Sequence, residues 1–263
     1  MEIGTFARAS DQVRKAIEFK PDFVELRLDV GHDFDLRESC EALGAAGIAC
    51  TLHLPSHPEW QPMDLSQGLA PYIDLGRLMD AKLVTFHTTL STLFYEDEDI
   101  DVFLESLPAA YDAAVEADVP IAIETLGLYY TELSLLFERF PKLKMVLDLG
   151  HGQILATMNR SLAHIESFGD YIEMVNVHDN NGGQMVQEII NLKKQRAVSR
   201  GEMRELALKY DTHSLIGKGS IDFDSIFRLL KSKGYDKRFL MIGGNPEDFE
   251  QEREAFMKRW LEA

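Results

Sequence analysis

The sequence predicts an α/β fold, a single (β/α)8 TIM barrel with a helical insertion between its seventh and eighth strands. Three observations lead there. The chain has 263 residues, an ordinary length for eight strand–helix units, which need about 250. Short, almost continuously apolar runs alternate with longer stretches of helical period, the pattern of a parallel sheet buried on both faces. Polar, chemistry-bearing side chains gather at the ends of the apolar runs, where barrels of this kind carry their active sites. The competing architecture is a doubly wound open sheet. It usually carries a glycine-rich turn after the first strand, and that place reads Phe6-Ala7-Arg8-Ala9-Ser10.

The first strand is expected over Ile3–Ala7, followed by an amphipathic helix with Ser10 as its N-cap. Strand two is expected at Phe23–Leu28, with Asp35 capping the helix that begins at Leu36. Strands three to seven are expected at Ile48–Leu54, Leu83–His87, Ile121–Thr125, Lys144–Leu149 and Ile172–His178. The intervening helices read Leu65–Asp80, Val102–Ala117, Thr131–Phe140 and Ser161–Phe168. Strand eight is expected at Phe239–Ile242, between helices Phe223–Lys233 and Pro246–Leu261. The connection from strand seven to strand eight is far longer than a loop and one helix require. Its surplus, 183–210, holds helical runs Met185–Arg196 and Arg200–Tyr210 and is expected to be either a solvated insertion or a lid. Lys193, Lys194, Arg196, Arg200 and Arg204 make it the most basic part of the chain, a natural place to hold an anionic substrate. The whole of 1–263 is read as one domain.

Acidic residues number 44 against 27 basic ones, a net charge of −17. Such a surface repels phosphate backbones, so nucleic acid is a disfavoured partner, though a local basic patch could oppose that field. No apolar run reaches the roughly 20 residues that cross a bilayer, and Met1-Glu2-Ile3-Gly4-Thr5 does not open a signal peptide. The two cysteines, Cys40 and Cys50, suit a reduced protein without a disulfide framework. No membrane partner and a cytoplasmic location are expected, and a homo-oligomer is compatible with the composition.

The strand ends carry the chemistry. They supply His53, His87, Glu124, Asp148 with His151, and His178 with Asp179; Asp211 and His213 follow the insertion. Five of the eight histidines in the chain belong to this set. A lone histidine there is usually a packed rim residue. Five beside Glu124, Asp148 and Asp211 are hard to explain by packing, because buried carboxylates are costly unless paired or metal-bound. Imidazole with carboxylate suits zinc, manganese or iron(II) as a divalent cofactor, and no cysteine joins the set. The spacings Asp148-x-x-His151 and Asp211-x-His213 add ligands enough for more than one ion.

With these residues in place, the chain resembles the xylose-isomerase-like barrels, which include sugar-phosphate isomerases and epimerases and the endonuclease IV-like AP endonucleases of family 2. The likeness rests on Leu147-Asp148-Leu149-Gly150-His151, on Val177-His178-Asp179-Asn180-Asn181-Gly182 and on Asp211-Thr212-His213 running on to Gly217-Lys218-Gly219-Ser220-Ile221-Asp222-Phe223. It implies three zinc sites on the endonuclease branch: His53, His87 and Glu124; Glu124, Asp148 and His178; His151, Asp211 and His213. The isomerase branch implies one metal on Glu124, Asp148 and His178. Both branches use a further Glu at the end of strand eight. Here the run is Leu240-Met241-Ile242-Gly243-Gly244-Asn245-Pro246, with Gly243 at the expected ligand position and Glu247 as a replacement from the loop.

Two activities follow. The first is isomerisation or epimerisation of a small sugar or sugar phosphate through a metal-stabilised enediolate, with Glu124 and Lys218 catalytic and Glu25, Asp179 and Lys218 contacting substrate. The alternative is a multinuclear zinc phosphoesterase acting on a small phosphate ester or apurinic DNA, which uses His53, His87, His151, Asp211 and His213. A third class, a barrel that binds metal or sugar without turnover, draws on the missing strand-eight Glu. One to three ions of zinc or manganese are expected.

Overall fold

In the computed structural model eight parallel strands close into a barrel in chain order. The structure describes residues 1–29, 33–55, 62–88, 90–126 and 129–263, with backbone alone for 62–68, 70, 87 and 88. The strands are β1 (Glu2–Ala7), β2 (Phe23–Arg27), β3 (Ala49–His53), β4 (Val84–Thr88), β5 (Ile121–Thr125), β6 (Lys144–Asp148), β7 (Ile172–Val177) and β8 (Arg238–Met241). The helices are α1 (Ser10–Phe19), α2 (Leu36–Ala45), α3 (Pro62–Leu78), α4 (Asp97–Glu116), α5 (Tyr130–Arg139), α6 (Ser161–Phe168), α7 (Gly182–Lys193), α8 (Arg200–Tyr210), α9 (Phe223–Ser232) and α10 (Phe249–Glu262). Each expected strand lies within a residue or so of its observed bounds.

The strands show the period of two that a barrel buried on both faces demands. One set of side chains faces the helices. Leu26, Leu52, Ile123, Leu147, Val175 and Phe239 pack there with Leu43, Phe103, Leu133, Ile226 and Phe256 from the helical layer. The alternate set fills the interior with Phe6, Phe23, Leu83, Ala122, Val146, Met174, Leu240 and Ile242. Interior positions nearer the C-terminal ends turn polar: Glu25, Arg27, His53, Glu124, Asp148, Asn176 and His178 are all buried. Cys40 and Cys50 are unbridged thiols whose Sγ atoms lie 3.8 Å apart.

Asp35 caps α2 as expected, its Oδ1 accepting the Glu38 N–H at 2.9 Å. Ser10 does not cap α1. The helix begins at Ser10 itself with Ala9 as N-cap and no side-chain cap bond. The chain is fixed there by backbone instead, because Ala9 bridges Asp33 and Ser10 N–H donates to Asp33 O at 3.2 Å.

The insertion forms α7 and α8. α7 starts at Gly182, three residues before its expected start, and Ser199 caps α8 by accepting the Glu202 N–H. Met185, Ile189, Met203, Leu206 and Ala207 pack on Phe94 and Tyr95 after β4, Leu126 after β5 and Ile154 after β6. This second apolar cluster ties the insertion to the loops at the C-terminal face. Its cations are largely engaged: Arg200 with Thr92 O and Glu96, Arg204 with Phe94 O, Arg196 with Glu202 and Lys209 with Glu188.

Met185 is fully buried in that cluster. Met185→Ala is expected to destabilise the protein by about 2–5 kcal/mol through cavity formation. Urea denaturation, together with protease cleavage of the 194–199 linker, measures it, and an unchanged midpoint would contradict the packing.

Candidate metal centre

Each donor reaches the centre because a strand or its following turn puts it on the inner face. Glu124 and Asp148 are the last inward residues of β5 and β6, and His178 follows β7 directly. His151 sits in a 3-10 turn (His151–Gln153) whose start is pinned by its own N–H donating to Asp148 Oδ1 at 2.7 Å. Asp211 and His213 arrive on the segment leaving α8, at whose end Asp211 N–H donates to Ala207 O. His213 holds a left-handed backbone, φ 43°, which a non-glycine residue adopts only when its surroundings enforce it. One such restraint is Gly244 N–H donating to His213 O at 2.6 Å.

Two donor groups result, each with its ligand atoms within 4.8 Å of one another: Glu124, Asp148 and His151; and His151, His178, Asp211 and His213. His151 belongs to both. Its Nδ1 lies 3.2 Å from Glu124 Oε1 and 3.6 Å from Asp148 Oδ2, and its Nε2 lies 3.2 Å from Asp211 Oδ2. His178 Nε2 is 2.8 Å from Asp148 Oδ1. His213 Nε2 is 3.4 Å from Asp211 Oδ2, and its ring stacks on His178 at 4.0 Å. Asn176, which the sequence reading did not single out, donates to Glu124 Oε2 at 2.8 Å and Asp148 Oδ2 at 3.2 Å, locking the two carboxylates together. The signal for it was its place two residues before His178, on the same inward face.

The donor set fits a metal. His178 Nδ1 and Asp211 Oδ1 are buried and make no hydrogen bond among the described residues, and they stand 3.9 Å apart. That is too long for a hydrogen bond and suited to one ion with bonds of about 2 Å to each. Without metal, protons and imidazoles balance the carboxylates. Burial alone would strip His151, but Asp148 and Asp211 hold its pKa well above the ordinary value. Burial likewise opposes the proton on His213, and Asp211 raises its pKa. Asp211, which burial alone would raise, is held well below the usual carboxylate range by His213 and His151. His178 is pulled down, with burial the largest cause.

The remaining expected site residues separate into three kinds. His53 is buried at this level, with Nε2 3.5 Å from Glu124 Oε2, but it falls outside both donor groups. His87 lies on β4 level with Glu124, and its side chain is outside the described residues. Glu25 forms a buried ion pair with Arg27 at 3.0 Å. Asp179 accepts from the N–H groups of Gly217, Gly219 and Ile221, so its carboxylate anchors the Gly217–Ile221 turn. Lys218 is exposed on that turn.

Strand eight departs from expectation. Its inward residues are Leu240 and Ile242, and Ile242 N–H donates to Val177 O, so Ile242 takes the inward place beside β7's end. A Cβ on Gly243 would meet Glu252 Oε1 of α10 at 2.5 Å and Ser214 O at 2.6 Å. The space a ligand side chain would start from is therefore closed. Glu247 does not replace it, because it is exposed and paired with Lys15 at 2.6 Å.

Residues 13–260 match the family model described as xylose isomerase-like TIM barrel. Among solved structures the chain is similar to a D-tagatose 3-epimerase-like protein (TM-score 0.72, 19% identity, covering 100% of this chain and 97% of that one). It is also similar to the IOLI protein with a binding zinc atom (0.69, 13%, 100% and 99%). A third is the AP endonuclease, family 2, from Brucella melitensis (0.63, 16%, 94% and 96%). These likenesses concern the fold. No curated protein matches the chain.

Two predictions follow from the geometry. A Cβ at Gly150 would meet His178 Cε1 at 2.0 Å, while the backbone there, φ −69°, accepts alanine. Gly150→Ala should therefore keep the fold and cost about tenfold or more in metal affinity by displacing the ring; chelator competition reads it, and undiminished affinity would contradict it. Secondly, loading metal must expel the protons that the carboxylates hold on His151 and His213. Metal affinity should fall as pH is lowered, and calorimetry of zinc binding in two buffers of different ionisation enthalpy should register proton release.

Proposed function

The chain belongs to the xylose isomerase-like TIM barrel family, and within it we propose a hydrolase of small phosphate esters built on two adjacent divalent ions. The observation that carries this reading is the number of donors: Glu124, Asp148 and His151, with His178, Asp211 and His213 beside them, are more than one ion takes up. A mononuclear sugar isomerase has no use for a second set of ligands beside its metal. Charge points the same way. One divalent ion does not outweigh Glu124, Asp148 and Asp211, whereas two do, and the pocket then favours an anion.

Glu124 and Asp148, with His151 through one ring nitrogen, would hold one ion, and His178, Asp211 and His213 the other. Bound together, such ions supply a clamp for the attacking and leaving oxygens of an in-line displacement. The chain's own residues do the positioning. Asn176 fixes the facing oxygens of Glu124 and Asp148. Asp148 is set by its backbone N–H donating to Thr125 Oγ1 at 2.9 Å. Glu124, Asp148 and His178 are fully buried, while the His213 side chain keeps 35% exposure, so substrate would enter on its side.

Isomerisation of a small sugar remains the second reading. Glu124, Asp148 and His178 are the three ligands a mononuclear isomerase would share with this chain. Ile242 in place of an inward carboxylate leaves that chemistry without its second acid/base group.

Zinc- or manganese-loaded protein is expected to hydrolyse p-nitrophenyl phosphate or bis(p-nitrophenyl) phosphate, and Asp211→Asn to lose one ion and at least a hundredfold in rate. Metal analysis by mass spectrometry and release of p-nitrophenol are the readouts. Ketose epimerisation at one ion per chain, without ester hydrolysis, would overturn the proposal.

A further inference from the structure

The structure assigns Arg27 the place of a metal ion: a fixed guanidinium beside His53 and Glu124 that keeps a third ion out and offers its remaining N–H groups to an anionic group of the substrate. The second half rests on the phosphate-ester reading above; the first does not.

His53 is the starting point. Its Nδ1 lies 2.8 Å from Leu54 O, a carbonyl that can only accept, so the proton is on Nδ1 and the lone pair of Nε2 faces the pocket. That orientation would suit a metal ligand. The atom in front of Nε2, however, is Arg27 Nη2 at 3.2 Å. A guanidinium has only donors, so it donates to the lone pair that a metal would need. It also sets a full positive charge beside any ion bound there. Glu124 Oε2, a further donor on that side among the described residues, is 3.5 Å from the same nitrogen of His53.

Arg27 cannot swing aside easily. Its Nη1 donates to Glu25 Oε1 at 3.0 Å and its Nε to Asp29 Oδ2 at 3.1 Å. Asp29 is clamped in turn by Arg8, whose Nε and Nη2 donate to its two oxygens at 2.7 and 2.8 Å. Two carboxylates and two guanidiniums thus form one neutral chain running from the rim to the interior. If Arg27 served only to neutralise Glu25, nothing would call for its Nη2 at the imidazole. Three of its five N–H groups are engaged among the described residues, and one remains on each terminal nitrogen. Together they would give a phosphoryl group the two-donor match of a guanidinium.

The test counts ions first. The protein is saturated with zinc, cleared of excess and analysed by mass spectrometry, alongside His53→Asn with its fold checked by circular dichroism. Two zinc ions per chain in both proteins are expected. Three in the parent, or loss of an ion in His53→Asn, overturns the assignment of Arg27. One ion in both would sink the two-ion hydrolase instead and leave the exclusion at His53 standing. Arg27→Lys then keeps the charge and removes the fork. Calorimetric titration of the zinc-loaded protein with inorganic phosphate should show affinity reduced at least tenfold with zinc content unchanged. Equal phosphate affinity overturns the anchor, and should Arg27→Lys fail to fold, the guanidinium 15N resonances of Arg27 in the loaded parent decide as inorganic phosphate is added: a shift sustains the anchor, and none at saturation overturns it.

Discussion

Three carboxylates buried at the mouth of a barrel set the terms for everything around them. Glu124, Asp148 and Asp211 are withdrawn from water, and a buried charge persists only where an opposite charge or hydrogen-bond donors meet it. The imidazoles of His151, His178 and His213 meet them in the absence of metal, which is why His151 and His213 hold protons so firmly. Metal ions would take the same places. The site is thus preorganised for cations by the repulsion it would otherwise contain.

This constraint reaches outward into elements that never touch the centre. Asp211 and His213 come from a segment with no strand to hold it, so the segment needs anchors of its own. Asp179 supplies one by accepting three backbone N–H groups of the following turn, and Asp179 and Ser214 exchange backbone hydrogen bonds at 2.7 and 2.8 Å. The helices α7 and α8 supply another, because their apolar faces rest on the loops after β4, β5 and β6. The insertion therefore delivers Asp211 to the site. Arg200 and Arg204 stitch it to the loop after β4, so these two cations are engaged without a ligand.

Most of the barrel was legible because strands buried on both faces read as short apolar runs whatever their neighbours. The donors at strand ends were legible for the complementary reason, since histidine and acid have no place in such runs except at a site. What escaped reading depended on contacts distant in sequence. Ser10 looks like a cap, but backbone pairing with Asp33 settles that turn. Arg27 pairs with Glu25 two residues away, yet only the fold shows its far end against His53. Gly150 is silent in sequence, and its reason is the ring of His178, twenty-eight residues on.

Strand eight shows how a local substitution is absorbed. A glycine at 243 reads as a simple gap at a ligand position, but the fold has closed over it. Glu252 of α10 brings a buried carboxyl to the Gly243 N–H at 2.9 Å. Burial pushes the pKa of that group up to about 9, so it stands there as a neutral acid at ordinary pH. The inward direction is meanwhile occupied by Ile242. The barrel mouth thereby carries no negative charge on strand eight, and on the opposite side it carries the guanidinium of Arg27. Both changes make the pocket less negative than a ring of carboxylates would be. In the isomerase branch that position supplies an acid/base group, and in the endonuclease branch a further metal ligand, so its loss removes a proton carrier from the first and one donor of several from the second. The residue missing from strand eight thus bears on proton transfer more than on metal binding.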